Sequence, residues 1–255
     1  MLKFSPSLDA VLGNTGLSFA DRIRASKKLG FPAFEFWSWW DKNIDEVDAV
    51  RQEVGIEVAS FCTKFVSLVQ PEKRSAYLEG LEQSVEVAGR LGCPFLISQT
   101  GNLLQNVPRE AQHESLVQGL KASAPILEKN GVTLIVEPLN VLVDHAGYYL
   151  VESSEAFQMV SEVNSPNVKI VFDIYHQQIT EGNLIPNITN NMDKIAYFHV
   201  ADHPGRRDPG TGEIHYHNVL RAIKDTGFDG YVGLEYFPQM NGLESLERFL
   251  QTYAS

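Results

Sequence analysis

Eight short apolar runs, each leading into a longer segment whose apolar residues recur at helical spacing, constrain this chain more than any other feature. The runs are Lys3–Leu8, Ala33–Trp37, Glu57–Cys62, Phe95–Gln99, Thr133–Glu137, Val168–Asp173, Ile195–Val200 and Tyr231–Tyr236. Helical segments between them include Ala20–Lys28, Ala76–Leu91, Glu110–Lys129, Ser154–Val163, Val219–Thr226 and Leu243–Tyr253. Gly30, Gly92, Gly131 and Gly227 follow four of these segments, where helices commonly end. The crossover Gln177–Asp193 is the least regular. Strict alternation through eight repeats predicts a closed (β/α)8 TIM barrel rather than an open doubly wound sheet, and no Gly-x-Gly-x-x-Gly follows any run. At 255 residues the chain matches the roughly 250 of one such barrel, so residues 1–255 are expected to form a single catalytic domain.

Composition narrows the partners. The chain is 44% hydrophobic and 21% charged, without an apolar run long enough to span a bilayer, so no membrane partner is expected. Its formal net charge of −11 is spread along the chain and would repel a phosphate backbone, which argues against nucleic acid. The opening MLKFSPSLDA lacks the pattern of a signal peptide, and two cysteines, Cys62 and Cys93, give no disulfide framework. The expectation is a cytoplasmic enzyme acting on a small molecule, with a homo-oligomer left open.

In a parallel barrel the reactive groups sit at the C-terminal ends of the strands. Four consecutive runs end in, or carry near their ends, a metal-ligand type of residue: Glu137 in TLIVEPLN, Asp173 in KIVFDIYH, His199 in IAYFHVAD and Glu235 in YVGLEYFP. Their spacings of 36, 26 and 36 residues are each about one βα repeat, so the four side chains should converge. Three carboxylates amid apolar neighbours need compensation. One divalent cation supplies it, and the mostly oxygen donor set suits Mn²⁺ first, with Mg²⁺ or Co²⁺ as alternatives and Zn²⁺ still open. Such an ion can stabilise a cis-enediolate while Glu137 and Glu235, flanking the substrate, remove and return a proton.

The segments EPLN at Glu137, FDIYH at Asp173, HVADHPGRRDPGTGEIHY from His199 and GLEYFP at Glu235 resemble the motifs of the hydroxypyruvate isomerase family, within the xylose isomerase-like barrel superfamily. The PGRRDPGTGEIHY loop is the most specific of them, and in the N-terminal half only the order of strands supports the match. The resemblance implies that Glu137, Asp173, His199 and Glu235 bind the metal and that the two glutamates also exchange protons with substrate. It also implies that His176 hydrogen-bonds a substrate hydroxyl. His199 departs from the family pattern, in which glutamine is usual on strand seven; histidine there is more like the ketose 3-epimerases.

Further substrate-binding candidates are Arg206 and Arg207, whose planar forks suit a carboxylate, together with His145 and Lys64. Tyr148 is placed with His145 as a residue that can close over the site. Phe36, Trp37, Trp39 and Trp40 form an aromatic cluster beside Glu35, open to core packing, a subunit interface or an active-site wall. The leading expectation is an isomerase of hydroxypyruvate or a related 2-oxo acid, and the alternative is a ketose 3-epimerase with the same metal site. A metal-dependent dehydratase, an endonuclease IV-like phosphodiesterase and a non-catalytic sugar-binding barrel fit less well.

Overall fold

The computed structural model describes residues 2–254. Its sheet contains eight parallel strands: β1 (Lys3–Pro6), β2 (Ala33–Phe36), β3 (Glu57–Cys62), β4 (Phe95–Ser98), β5 (Thr133–Val136), β6 (Val168–Asp173), β7 (Ile195–Val200) and β8 (Tyr231–Leu234). Neighbours follow chain order from β2 to β8, and β8 pairs with β1. The remaining seam is bridged just beyond β1, where Ser7 pairs with Glu35 and the Leu8 amide donates to the Glu35 carbonyl at 2.9 Å. The barrel predicted from the alternation is therefore the observed fold.

Helices α1 (Phe19–Lys28), α2 (Ile44–Val54), α3 (Arg74–Leu91), α4 (Arg109–Asn130), α5 (Ser153–Val163), α6 (Ile174–Thr180), α7 (Leu184–Thr189), α8 (Tyr216–Asp225) and α9 (Gly242–Tyr253) surround the strands. The irregular sixth crossover resolves into the short pair α6 and α7, each too short to show a clear helical period. Gly92 and Gly131 close α3 and α4 in the left-handed region, at φ 63° and 65°.

Period-two alternation sorts the strand residues into two cores. On β5, Leu134 and Val136 pack outward beneath the helices, while Ile135 faces the barrel interior with Val171 of β6 and Tyr197 of β7. Continuing the inward row by two residues gives Glu137, Asp173 and His199, and the same step from Tyr231 on β8 passes through Gly233 to Glu235. A slip of one residue in any strand would turn its functional side chain into the helix layer. Several strands stop one or two residues before the ends expected from apolar content, since Glu137 and Glu235 lie just past the last residue of β5 and β8.

Candidate active site

Glu137, Asp173, His199 and Glu235 are all buried, and one ligand atom from each lies within 4.8 Å of the others. His199 Nδ1 is 3.0 Å from Glu137 Oε1, 3.4 Å from Glu235 Oε2 and 3.9 Å from Asp173 Oδ2. Donor atoms at about 2.1 Å from one cation stand about 3–4 Å apart, so the spacing fits a shared ion. Asp173 divides its duties: Oδ1 caps α6 by accepting from the His176 amide at 3.0 Å, whereas buried Oδ2 has no hydrogen-bond partner. An orphaned carboxylate oxygen facing two further carboxylates is a group that a cation would satisfy. The donor set therefore fits one divalent ion.

The charges of the cluster are strongly interdependent. Burial pushes the Asp173 carboxyl up to about 7, against the pull of Arg206 and His199. Burial also opposes the charged form of His199, but the carboxylates of Glu35, Glu235 and Glu137 outweigh it and hold the imidazole well above its ordinary value. Glu235 shows the opposite balance: burial would raise it, yet Arg206, His199 and the Trp37 indole keep it below the usual carboxylate value.

Arg206 comes from the loop after β7, which is pinned by its own backbone. Asp202 and Arg207 exchange two main-chain hydrogen bonds, and the Asp202 carboxylate accepts from the Gly210 and Ile214 amides. Gly212 packs so closely that a Cβ would lie 2.0 Å from the His203 carbonyl oxygen, which explains a glycine at that point of the motif. Arg206 itself takes φ 55°, a left-handed conformation that few side chains adopt, and the Phe237 amide donates to its carbonyl at 2.8 Å. Its guanidinium reaches Glu235 Oε2 at 2.5 Å and lies over the Tyr175 and Phe237 rings, while its buried Nε has no partner. The adjacent Arg207 turns away to donate to the Phe237 carbonyl at 3.1 Å.

His176 sits on the first turn of α6, not in a loop. Its Nδ1 accepts from the Asn140 side-chain amide at 2.7 Å, which places the proton of the neutral ring on Nε2, 3.7 Å from Asp173 Oδ2. Burial, aided by the nearby cation of Arg206, holds its pKa well below the ordinary value, so the ring is a neutral donor. Asn140 also donates to Asp144, which accepts from Tyr175, tying His176 to the ring that supports Arg206.

Above the cluster opens a cavity of about 420 Å³. Trp37, Phe65, Ile97 and Leu139 form apolar wall, and Gln99, Asn102, His145 and Arg206 contribute polar groups. His145 and Tyr148 both line it. Three expected substrate-binding residues do not: Arg207 is held by the Phe237 carbonyl, Lys64 donates to Gln83 with its stem packed against Gly80 of α3, and His176 is fully buried beside Asp173. The aromatic cluster divides. Trp37 donates from Nε1 to Glu235 Oε1 at 2.5 Å inside the site, Phe36 joins the outer core, Trp39 donates to Ser84 and Trp40 meets exposed Phe65 edge-on. A roomier cavity of about 560 Å³ opens at the N-terminal end of the barrel, but the acid–histidine cluster lies at the C-terminal end.

These observations define a class of protein: a parallel barrel with a buried three-carboxylate, one-histidine centre at its C-terminal rim. Residues 23–253 match the family described as Xylose isomerase-like TIM barrel, and the chain belongs to that family. It is 30% identical to a hydroxypyruvate isomerase of Escherichia coli (strain K12), covering 94% of this chain and 95% of that protein. It is 28% identical to a 2-oxo-tetronate isomerase of Cupriavidus necator, covering 87% and 88%. A solved structure described as an AP endonuclease, family 2, from Brucella melitensis superposes with a TM-score of 0.92 at 26% identity, over 99% of each chain. The resemblance first carried by four C-terminal motifs thus extends through the N-terminal half, and the chain is an isomerase. No helix of the described residues is long and apolar enough to cross a membrane.

Proposed function

We propose that the protein is a metal-dependent isomerase of hydroxypyruvate or a closely related short 2-oxo acid such as a 2-oxo-tetronate, working by proton transfer between Glu137 and Glu235. The observation that carries this reading is the convergence of four ligand-type side chains with an arginine whose Nε is buried and unpaired beside them. Glu137, Asp173, His199 and Glu235 would hold one divalent ion, with Mn²⁺ the first choice for a mostly oxygen donor set. When bound, the ion supplies Lewis-acid polarisation of neighbouring carbonyl and hydroxyl oxygens, an effect worth several kcal/mol.

The remaining work belongs to the chain. One glutamate removes the proton α to the carbonyl and the other returns a proton to the adjacent carbon, each step typically worth about 10²–10⁴-fold, while the hydroxyl proton passes from the oxygen that becomes the carbonyl to the oxygen that was one. His176 offers its Nε2 proton to a substrate oxygen. Arg206, held by Glu235 through one terminal nitrogen, offers its unpaired Nε to the carboxylate of the acid, and the apolar wall limits the access of water to the enediolate. A four-residue cluster and a net charge of −11 favour this chemistry over attack on a nucleic-acid phosphodiester.

The test compares kcat/KM for hydroxypyruvate, 2-oxo-tetronates and ketohexoses with Mn²⁺ present, and follows solvent deuterium into the product in D₂O. Preference for the acids with deuterium incorporation is expected. Two features favour the ketose 3-epimerase reading instead: histidine at position 199 and a cavity larger than a three-carbon acid needs. A clear preference for a ketohexose would select it.

Arg206→Lys separates the readings further. Lysine keeps the charge but loses the fork, and a lost charge-assisted hydrogen bond costs about 1.5–3 kcal/mol. KM for the acid should therefore rise about 10–100-fold with a smaller change in kcat, the pattern of lost uniform binding. An unchanged KM would remove Arg206 from carboxylate recognition.

A further inference from the structure

Glu35 is a buried carboxylate that the proposed ligand set leaves unused. It occupies the inward row of β2 between Ala33 and Trp37 and is only 3% exposed. Taking a carboxylate out of water is costly, so its place in the barrel interior calls for polar partners. Its two oxygens face different groups. Oε2 accepts from the Tyr197 hydroxyl at 2.6 Å, with the Ser60 and Ser5 hydroxyls at 3.4 and 3.5 Å, and Ser5 also meets the Tyr197 hydroxyl at 2.7 Å. Oε1 lies 3.4 Å from His199 Nε2, a buried nitrogen with no hydrogen-bond partner. Room for this approach comes from Gly233 on β8, where a Cβ would stand 2.3 Å from Glu35 Oε2 and 2.6 Å from His199 Cδ2.

We propose that Glu35 is a positioning residue for His199: it holds the ring proton on Nε2, so that Nδ1 presents its lone pair to the divalent ion. The inference rests on the ligand set proposed above. A histidine that ligates through one nitrogen donates from the other, and the acceptor of that proton fixes the tautomer, the ring orientation and the basicity of the ligand. Tyr197 and the two serines fix the carboxylate so that Oε1 is turned toward the ring.

The experiment uses Zn²⁺ as a diamagnetic probe. Affinity is measured by competition with a chromophoric chelator, and ¹⁵N NMR of the loaded protein reports which nitrogen of His199 binds zinc and which carries the proton. Glu35→Leu should weaken zinc binding about 10–100-fold. Glu35→Gln, whose carbonyl can still accept from Nε2, should weaken it less. A purely structural role would lower Tm in both variants and leave affinity untouched. Should Glu35→Leu not fold, Glu35→Gln decides: a measurable fall in affinity supports the proposal, and affinity equal to that of the unaltered chain overturns it. Zinc on Nε2 overturns it as well. If the unaltered chain takes up no zinc, or the His199 nitrogens do not shift on loading, the ligand set itself falls, and with it this role; if His199 binds through Nδ1 and the Glu35 variants bind equally well, only this role falls.

Discussion

Exhaustive removal of divalent metal is expected to abolish isomerisation, with recovery on adding back Mn²⁺, Mg²⁺ or Co²⁺. The expected loss is on the order of 10³-fold or more, because a Lewis-acid contribution of several kcal/mol corresponds to a factor of ten for each 1.36 kcal/mol. The loss follows from the ground state as well as the reaction. Asp173 Oδ2 is buried and has no hydrogen-bond partner, and burial pushes its carboxyl up to about 7, so an ion at the cluster would also fix the charge of that group. Added metal should also raise Tm, since an ion that binds only the folded chain stabilises it by mass action. The rate is measured on protein whose metal content has been fixed by elemental analysis. Full turnover in metal-free protein would overturn the metal-dependent reading.

The barrel was legible because its signal is repeated. Each strand is short and ambiguous alone, but β-branched inward and outward positions recur at about one βα repeat, and eight repeats close a sheet. Three strands, β3, β6 and β7, begin and end where the apolar runs do. The rest stop one or two residues short, although the Glu137 and Glu235 amides still donate across to the Ser98 and Val200 carbonyls just past the ends of β5 and β8. Helix α2 (Ile44–Val54) carries a good cap, with Asn43 accepting from the Glu46 amide, but buries only Val47 and Val50. Its apolar stripe is thin, which hid it among the charged residues of that segment.

The ligand cluster was legible for a related reason: one residue of the right type in the same inward register on four successive strands is hard to produce by packing alone. Single side chains were not. Lys64 and Arg207 have the charge and the sequence position to reach the cavity, yet Lys64 is drawn to Gln83 and Arg207 to the Phe237 carbonyl, contacts that depend on tertiary structure. Trp37 and Gln99 end the second and fourth apolar runs, the same signal that marks the ligands; Trp37 is read only as one of an aromatic cluster with three possible roles, and Gln99, not a metal-ligand type, receives no role. Asn140 lies within the EPLN motif and fixes the His176 tautomer, a role that needs the distance between β5 and α6 to be seen. Glu35 was visible only as the neighbour of an aromatic cluster. Its inward register on β2, between Ala33 and Trp37, was the signal available.

Glu137→Gln and Glu235→Gln are each expected to lower kcat by about 10²–10⁴-fold, the usual contribution of a positioned general acid or base. Glutamine keeps the volume and one carbonyl oxygen to face the ion but cannot take up a proton. Metal content must be measured beside kcat, because both residues also belong to the proposed ligand set. Their surroundings predict different side effects. Glu137 Oε1 faces His199 Nδ1 at 3.0 Å, so its loss should fall chiefly on kcat. Glu235 accepts from Trp37 through Oε1 and from Arg206 through Oε2, so glutamine there also deprives the guanidinium of its nearest anion, leaving Asp173 Oδ2 at 3.9 Å, and should raise KM as well. Isotope exchange distinguishes the two proton transfers. The variant that keeps the abstracting glutamate should still exchange the substrate's α-proton with D₂O while forming little product, and the variant that lacks it should do neither. Two metal-loaded variants that both isomerise at near-native rates would end the two-glutamate scheme, whatever the metal turns out to be.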